Sequence, residues 1–190
     1  MDKSKIYEII EGCKKNDRNC QKLLFEFYSK KMMGVCQRYC NNSEIARDLV
    51  HDGFIKVFTK ISSFKGDSSL ETWMTRIFIN TCLSHLKKTE NRQVFMDIDE
   101  NIHSIKDDNE NKDENEFAVM IKNMPVSKIF DYINSLPEKY KIILNMYSVD
   151  GFSHKQISET LGIQIGSSKS RLSRARTMLI DKIKHNESKN

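Results

Sequence analysis

Apolar residues recur along most of the chain at spacings of three and four, which places them on one face of an α-helix. In residues 43–61 the apolar positions are Leu49, Val50, Phe54, Val57 and Ile61. The chain has only two prolines and seven glycines, and no tight-turn pair lies between alternating strand-like runs. The pattern predicts an all-α fold, with Ser43 as the N-cap of the helix that ends near Ile61.

A second helix of the N-terminal part follows the loop 64–67, and Ser68 and Glu71 have capping-box spacing at its start. One side of this helix carries Trp73, Met74, Ile77 and Phe78, which we expect in the core. Another side carries a polar stripe of Arg76, Asn80, Ser84 and Lys87.

Turn and cap residues divide the C-terminal part into four helices. The first is marked by Ile129, Ile133 and Leu136, and Pro137 opens the second, which ends before Gly151. Ser153 and Gln156 form a capping box for a short third helix, and a turn at Gly162 leads into a fourth, from about Gln164 to Lys182. A short helix, a turn and a longer helix predict a helix-turn-helix.

The fourth helix has two contrasting sides. Its core side carries Leu172, Ala175, Leu179 and Ile183. Its other side carries short hydroxyls and cations, which suit a DNA groove and its phosphates: Lys169, Ser170, Arg171, Ser173, Arg174, Arg176 and Thr177. The alternative is a solvated basic surface helix.

Charge divides the chain into three segments. Residues 1–88 have a net charge of +6, residues 89–124 of −6 and residues 125–190 of +5. The middle segment contains the run DDNENKDENE, whose apolar content is too low for independent folding, although EFAVMI could form a helical turn. The prediction is two small helical domains, 1–88 and 125–190, joined by the acidic flexible linker 89–124.

Two features of the first domain indicate partners. On the polar side of helix 43–61, Ile55 is surrounded by Asp48, His51 and Asp52, which suits docking onto a protein. The loop with Phe64 and Lys65 could hold an unstacked base. The alternatives are an incidental exposed Ile55 and a Phe64 that belongs to the core.

The sequence gives little support for metal binding, cofactor binding or catalysis. Five cysteines without a CxxC pair match no common zinc spacing, and we expect reduced, packed thiols. We expect no metal, no cofactor and no catalytic residues, since no phosphate loop, paired carboxylates or Ser/His/Asp set is present. The start lacks a signal-peptide core and no apolar run reaches about 20 residues, so we expect a cytoplasmic protein without membrane insertion.

Two parts of the chain resemble a known family. The stretch GFSHKQISETLGIQIGSSKSRLSRARTML is similar to region 4 of bacterial RNA polymerase sigma factors of the extracytoplasmic-function type, and DLVHDGFIKVF and FKGDSSLETWMTRIFINTCLSHLKK are similar to region 2. The resemblance covers about residues 20–88 and 127–184. Departures are His51 for a frequent Gln, Gly53 for a frequent Thr or Val, and residues 164–168 in place of a Pro-Val-Gly-Thr-Val run.

The resemblance implies a subunit that takes core RNA polymerase to promoters. It implies contact with the β′ clamp helices through Asp48, His51, Asp52 and Ile55, and a contact with the β flap. It implies minus-ten DNA contacts by Phe64, Lys65, Asp67, Ser68, Arg76, Asn80 and Lys87, and minus-thirty-five contacts by the seven polar residues of the fourth helix. It also implies an anti-sigma factor as regulator and a linker that threads through the polymerase.

Two other classes are open from the residues alone. A transcriptional regulator with a helical sensor domain would bind palindromic DNA as a dimer without polymerase. A nuclease would need carboxylates on rigid elements to hold magnesium, whereas the acidic residues here concentrate in the linker.

Overall fold

The computed structural model describes residues 3–40, 42–89, 117–122 and 124–187. These residues form helices joined by turns and loops, with no β-strand among them, so the predicted all-α fold is confirmed. Most of the acidic segment 89–124 lies outside the described residues. Within it, residues 117–121 are helical, as the EFAVMI pattern predicts.

The chain divides into two compact units, residues 1–89 and 90–190. The described elements of the first unit are α1 (Lys3–Lys14), α2 (Arg18–Tyr39), α3 (Ser43–Lys60), a 3₁₀ turn (Ile61–Ser63) and α4 (Leu70–Thr89). In the second unit they are the segment 117–121, α5 (Val126–Asn134), α6 (Glu138–Leu144), a π-helical turn (Asn145–Val149), α7 (His154–Leu161) and α8 (Ile165–Glu187).

In the first unit, α2 packs against α1, α3 and α4. The apolar face predicted for α3 is confirmed, since Leu49, Val50, Phe54, Val57 and Ile61 are all buried. Met74 and Phe78 of α4 are buried as predicted, but Trp73 and Ile77 are only half-buried.

The caps of two helices differ from prediction by one residue. The cap of α3 is Asn42, whose side-chain oxygen accepts from the backbone N–H groups of Glu44 and Ile45 at 2.8 and 3.2 Å. The cap of α4 is provided by Ser69, whose hydroxyl accepts from the Thr72 N–H at 3.0 Å. Both predictions were wrong because two residues that can cap lie side by side, so spacing alone does not choose between them.

In the second unit, α8 packs against α5, α6 and α7. Its predicted core residues Leu172, Ala175, Leu179 and Ile183 are buried. Pro137 immediately precedes α6 and is not its first residue. No helix in the described ranges is long and apolar enough to cross a membrane.

The helix-turn-helix forms as the sequence predicts. Ser153 accepts from the Gln156 N–H, and the Gln156 side chain accepts from the Ser153 N–H, which completes the capping box of α7. Gly162 ends α7 with φ of 75°, in the left-handed region that glycine adopts without strain. The chain therefore turns sharply from α7 into α8.

Candidate protein and nucleic-acid interfaces

The polar side of α3 carries an exposed patch with an apolar centre. Asp48, His51, Asp52 and Ile55 lie three and four residues apart on one face and are all exposed, and we call them the α3 patch. Ile55 keeps 63% of its surface exposed, although the opposite side of the helix is buried. The arrangement presents an apolar side chain with carboxylates beside it, which suits a partner with an apolar centre and a basic rim.

The ring of His51 stacks on an aromatic residue of α2. Its ring lies 6.2 Å from the Phe25 ring at an interplanar angle of 20°, and Phe25 lies 4.7 Å from Phe54 in the core. Phe25 therefore links the patch to the buried face of α3. Sequence patterns did not identify this role, because Phe25 lies on a different helix.

The loop before α4 brings an aromatic pair together. The ring centroids of Phe64 and Trp73 are 5.3 Å apart, and both residues are half-buried. Lys65 and Asp67 are exposed in the same loop, and Ser68 is half-buried. The loop thus combines a partly accessible ring with exposed charge, as a base-holding loop requires.

The polar stripe of α4 is exposed as predicted. Arg76, Asn80 and Lys87 lie along one side of the helix. Ser84, between them, is also exposed and donates its hydroxyl hydrogen to the Asn80 carbonyl at 2.7 Å. We group this side with the loop as the α4 surface, whose members are Phe64, Lys65, Asp67, Ser68, Arg76, Asn80 and Lys87.

The residues of α8 that are predicted to face DNA differ in how exposed they are. Thr177 is exposed, and Lys169, Ser170 and Arg174 are half-buried. We call these four residues the α8 surface. Two of the hydroxyls donate to carbonyls of their own helix, from Ser170 to Ser167 at 3.2 Å and from Thr177 to Ser173 at 3.1 Å. Their oxygens can still accept hydrogen bonds from a partner.

The other three predicted residues are buried, which differs from the exposed position expected for them. Arg171, Ser173 and Arg176 keep 2%, 7% and 5% of their surface. Arg171 and Arg176 flank the apolar face of α8, and so little of either side chain is exposed that the guanidinium groups are enclosed as well. The guanidinium carbon of Arg176 lies 5.7 Å from the centroid of the Tyr147 ring. Their contact with DNA stays a prediction.

The five cysteines are free thiols, and Cys13, Cys36, Cys40 and Cys82 are buried. Hydrogen bonds with Cys36 and Cys40, followed by burial, raise the pKa of Cys82 well above its ordinary value. Burial raises the pKa of Cys13 to about 11. Such thiols stay protonated near neutral pH and pack as small apolar groups. Among the described residues, no group of three or more His, Cys, Asp or Glu side chains could hold a metal ion.

Comparison with known families matches both units. The family pattern described as Sigma-70 region 2 matches residues 24–92, and that of Sigma-70, region 4 matches residues 127–179. The first range contains the α3 patch and the α4 surface. The second contains the helix-turn-helix up to residue 179 of α8.

Similar proteins extend over nearly the whole chain. The ECF RNA polymerase sigma-E factor of Haemophilus influenzae is 31% identical, over 92% of this chain and 93% of its own. The RNA polymerase sigma-H factor of Pseudomonas aeruginosa is 29% identical, over 89% of each chain. The ECF RNA polymerase sigma-E factor of Escherichia coli K12 is 29% identical, over 92% of each chain.

A solved structure shows a likeness of fold, and a second matches at a lower score. The structure of CnrH in complex with the cytosolic domain of CnrY matches with a TM-score of 0.50 and 13% identity, over 90% of this chain and 92% of that one. The sigma factor RpoE of Bartonella quintana, solved in complex with the anti-sigma factor NepR, matches with a TM-score of 0.49 and 23% identity, over 83% and 92%.

Proposed function

The chain belongs to the extracytoplasmic-function family of RNA polymerase sigma factors, and on that premise we propose which of its surfaces bind polymerase and promoter. As a sigma factor it directs core RNA polymerase to promoters and initiates transcription there. The α3 patch binds the β′ clamp helices. The α4 surface contacts the minus-ten element, and the α8 surface contacts the minus-thirty-five element.

The exposure of Ile55 carries the polymerase assignment. A large aliphatic side chain with 63% of its surface exposed stands on a helix whose other apolar residues are buried or, at Ile45 and Phe58, half-buried. An exposed apolar side chain contributes to binding when a partner buries it, and the charged residues around it set orientation and association rate. Asp48, His51 and Asp52 are the polar residues that surround Ile55.

Pull-down with core RNA polymerase tests the patch. Replacing Ile55 by Ala should weaken core binding by roughly 2 kcal/mol, the scale of an interface hot spot. Asp52→Arg should weaken it most at low salt, because the rim charge steers association. The matched control is Glu8→Arg, an equal charge change at an exposed position of α1. Equal binding by Ile55→Ala and the wild-type chain would contradict the assignment.

DNA contacts on α8 are proposed in two groups. Lys169, Ser170, Arg174 and Thr177 make direct contacts with the minus-thirty-five element, supported by their accessible or partly accessible positions. Arg171, Ser173 and Arg176 would need side-chain movement to reach DNA. Base contacts by Arg174 and phosphate contacts by Lys169 suit the chemistry of these groups.

Regulation by an anti-sigma factor is proposed from the family resemblance. Such a partner would keep the chain from polymerase, and covering the exposed α3 patch would achieve that. Co-purification from the source organism should recover a protein that stops promoter-dependent transcription when added back. A recovered partner that leaves transcription unchanged would contradict the proposal.

The chain acts as a transcription initiation factor, and we propose that it has no enzymatic activity of its own and works in the cytoplasm with polymerase. A metal-dependent DNA cleavage assay distinguishes it from a nuclease. A dimer bound to palindromic DNA without polymerase would instead identify an ordinary regulator.

A further inference from the structure

Ser168 interrupts the apolar face that α8 turns toward the core of its unit. It lies one turn before Leu172 and has no exposed surface (0%). A buried hydroxyl destabilises a protein unless it is hydrogen-bonded. The Ser168 Oγ lies 2.9 Å from Nδ1 of His154, the first residue of α7. A polar contact therefore joins the two helices of the helix-turn-helix where the neighbouring face positions are aliphatic.

The ring of His154 continues this contact to Tyr147. The two ring centroids are 4.5 Å apart and the planes are inclined by 26°. Tyr147 belongs to the π turn, whose wider turn changes the direction in which side chains leave the helix axis. The guanidinium carbon of Arg176 lies 5.7 Å from the centroid of the same tyrosine ring, within the range of a cation–π interaction. We call Tyr147, His154, Ser168 and Arg176 the brace.

The brace holds α8 at two places. Ser168 and Arg176 are eight residues apart, which corresponds to about 12 Å along the helix axis. Aliphatic packing is not directional, so by itself it specifies the rotation of a helix weakly. The hydrogen bond of Ser168 and the cation–π contact of Arg176 both have preferred geometries. Two such contacts, separated by two turns, fix the rotation and the tilt of α8 together.

We infer that Tyr147 and His154 are positioning residues for promoter recognition, which fix α8 through Ser168 and Arg176 so that the α8 surface faces DNA. This inference rests on the proposed function. It gives Arg176 a role different from that of a phosphate contact, since its guanidinium acts on the orientation of α8 through Tyr147. It also gives a reason for Ser168 where the family frequently has Val, because the serine is matched by His154.

Run-off transcription with the full chain and core polymerase tests the positioning role. Two templates are compared, a promoter that the wild-type chain uses and the same promoter with its minus-thirty-five element replaced. Ser168→Ala and His154→Phe each remove the hydrogen bond of the brace. Each should lower the ratio of transcript from the intact promoter to transcript from the replaced one by about 3- to 10-fold. Transcription from the replaced template should stay unchanged.

Further variants separate the brace from general packing. Tyr147→Leu removes the stacked ring and should lower the ratio, whereas Tyr147→Phe keeps the ring and should retain it. His154→Phe combined with Ser168→Val replaces the polar pair with an apolar pair. That double variant should recover part of the ratio lost in His154→Phe.

Each other outcome overturns the inference. An equal loss from both templates, with a lower melting temperature by circular dichroism, would show that these residues only stabilise the fold. If the bulkier variants fail to fold, Ser168→Ala decides, and an unchanged ratio in that variant would also overturn the inference. A wild-type chain that yields no promoter-dependent transcript would overturn the proposed function, and the inference with it.

Discussion

Phe78 packs against the backbone of α3 at Gly53, where the helix has no side chain. A Cβ atom built on Gly53 would lie 2.4 Å from Cε1 of the Phe78 ring. The helix propensity of glycine alone favours replacing it by alanine, but the ring occupies the space that alanine needs. The cost of glycine in the helix is therefore offset by the packing of a large aromatic core residue.

Replacing Gly53 by Ala should destabilise the protein by about 1–3 kcal/mol, because the ring or the helix must move. Urea denaturation followed by circular dichroism measures the change. The control is Gly34→Ala in α2, where nothing lies within 4 Å of the added Cβ. That control should stabilise by about 0.5–1 kcal/mol, and equal effects in the two variants would contradict the close packing.

Ionisation of the Cys13 thiol should lower the stability of the protein at alkaline pH. Burial, followed by the neighbouring Cys20 and Asp17, raises its pKa from 9.0 to about 11. Since the folded chain holds this proton more tightly, the contribution is complete below pH 9 and is lost as the pH rises through 11. Unfolding free energy, measured by urea titration across this range, should fall less steeply in Cys13→Ala. Identical slopes in that variant and the wild-type chain would contradict the shift.

At the scale of elements, the N-terminus of α4 depends on one serine. The Ser69 hydroxyl accepts from the Thr72 N–H, whereas the Ser68 hydroxyl donates to the Ser69 carbonyl at 3.3 Å. Ser69→Ala should therefore cost about 1 kcal/mol of unfolding free energy, the usual effect of losing a cap. Ser68→Ala is the adjacent control and should cost less. A larger loss in Ser68→Ala than in Ser69→Ala would contradict this assignment and support the capping box of Ser68 and Glu71 that spacing predicts.

Helix periodicity predicted faces well and boundaries less well. The buried faces of α3 and α8 follow directly from apolar spacing, since a regular helix places such residues together. Cap positions failed where Asn42 precedes Ser43 and where Ser68 precedes Ser69, because either member of each pair can cap. In both cases the sequence predicted the helix, but the observed first residue lies one position away from the predicted one.

Side-chain burial at the edges of α8 could not be read from a helical wheel. The wheel gives the direction of Arg176, but it does not show that Tyr147 approaches from a π turn 29 positions earlier in the chain. The same applies to Ser168, which a wheel places on the core side without revealing His154 as its partner. These contacts depend on how elements meet, which apolar spacing does not encode.

At the scale of the whole molecule, two basic segments flank an acidic one. The net charges of +6, −6 and +5 follow from the sequence. Positive surfaces favour association with nucleic acid, and negative charge opposes it. The order of the two units along the chain, with region 2 before region 4, agrees with the family matches. The proposed tether 89–124 lies mostly outside the described residues and stays a prediction.

The most direct measurement is run-off transcription with core RNA polymerase from the source organism, with and without this chain, on promoter fragments of that genome. A sigma factor should give discrete transcripts that require the chain and whose start sites share two upstream elements. Ile55→Ala should reduce all of them together, because it weakens core binding. Transcripts that are the same without the chain, or DNA bound by the free chain as a dimer without core binding, would contradict the account.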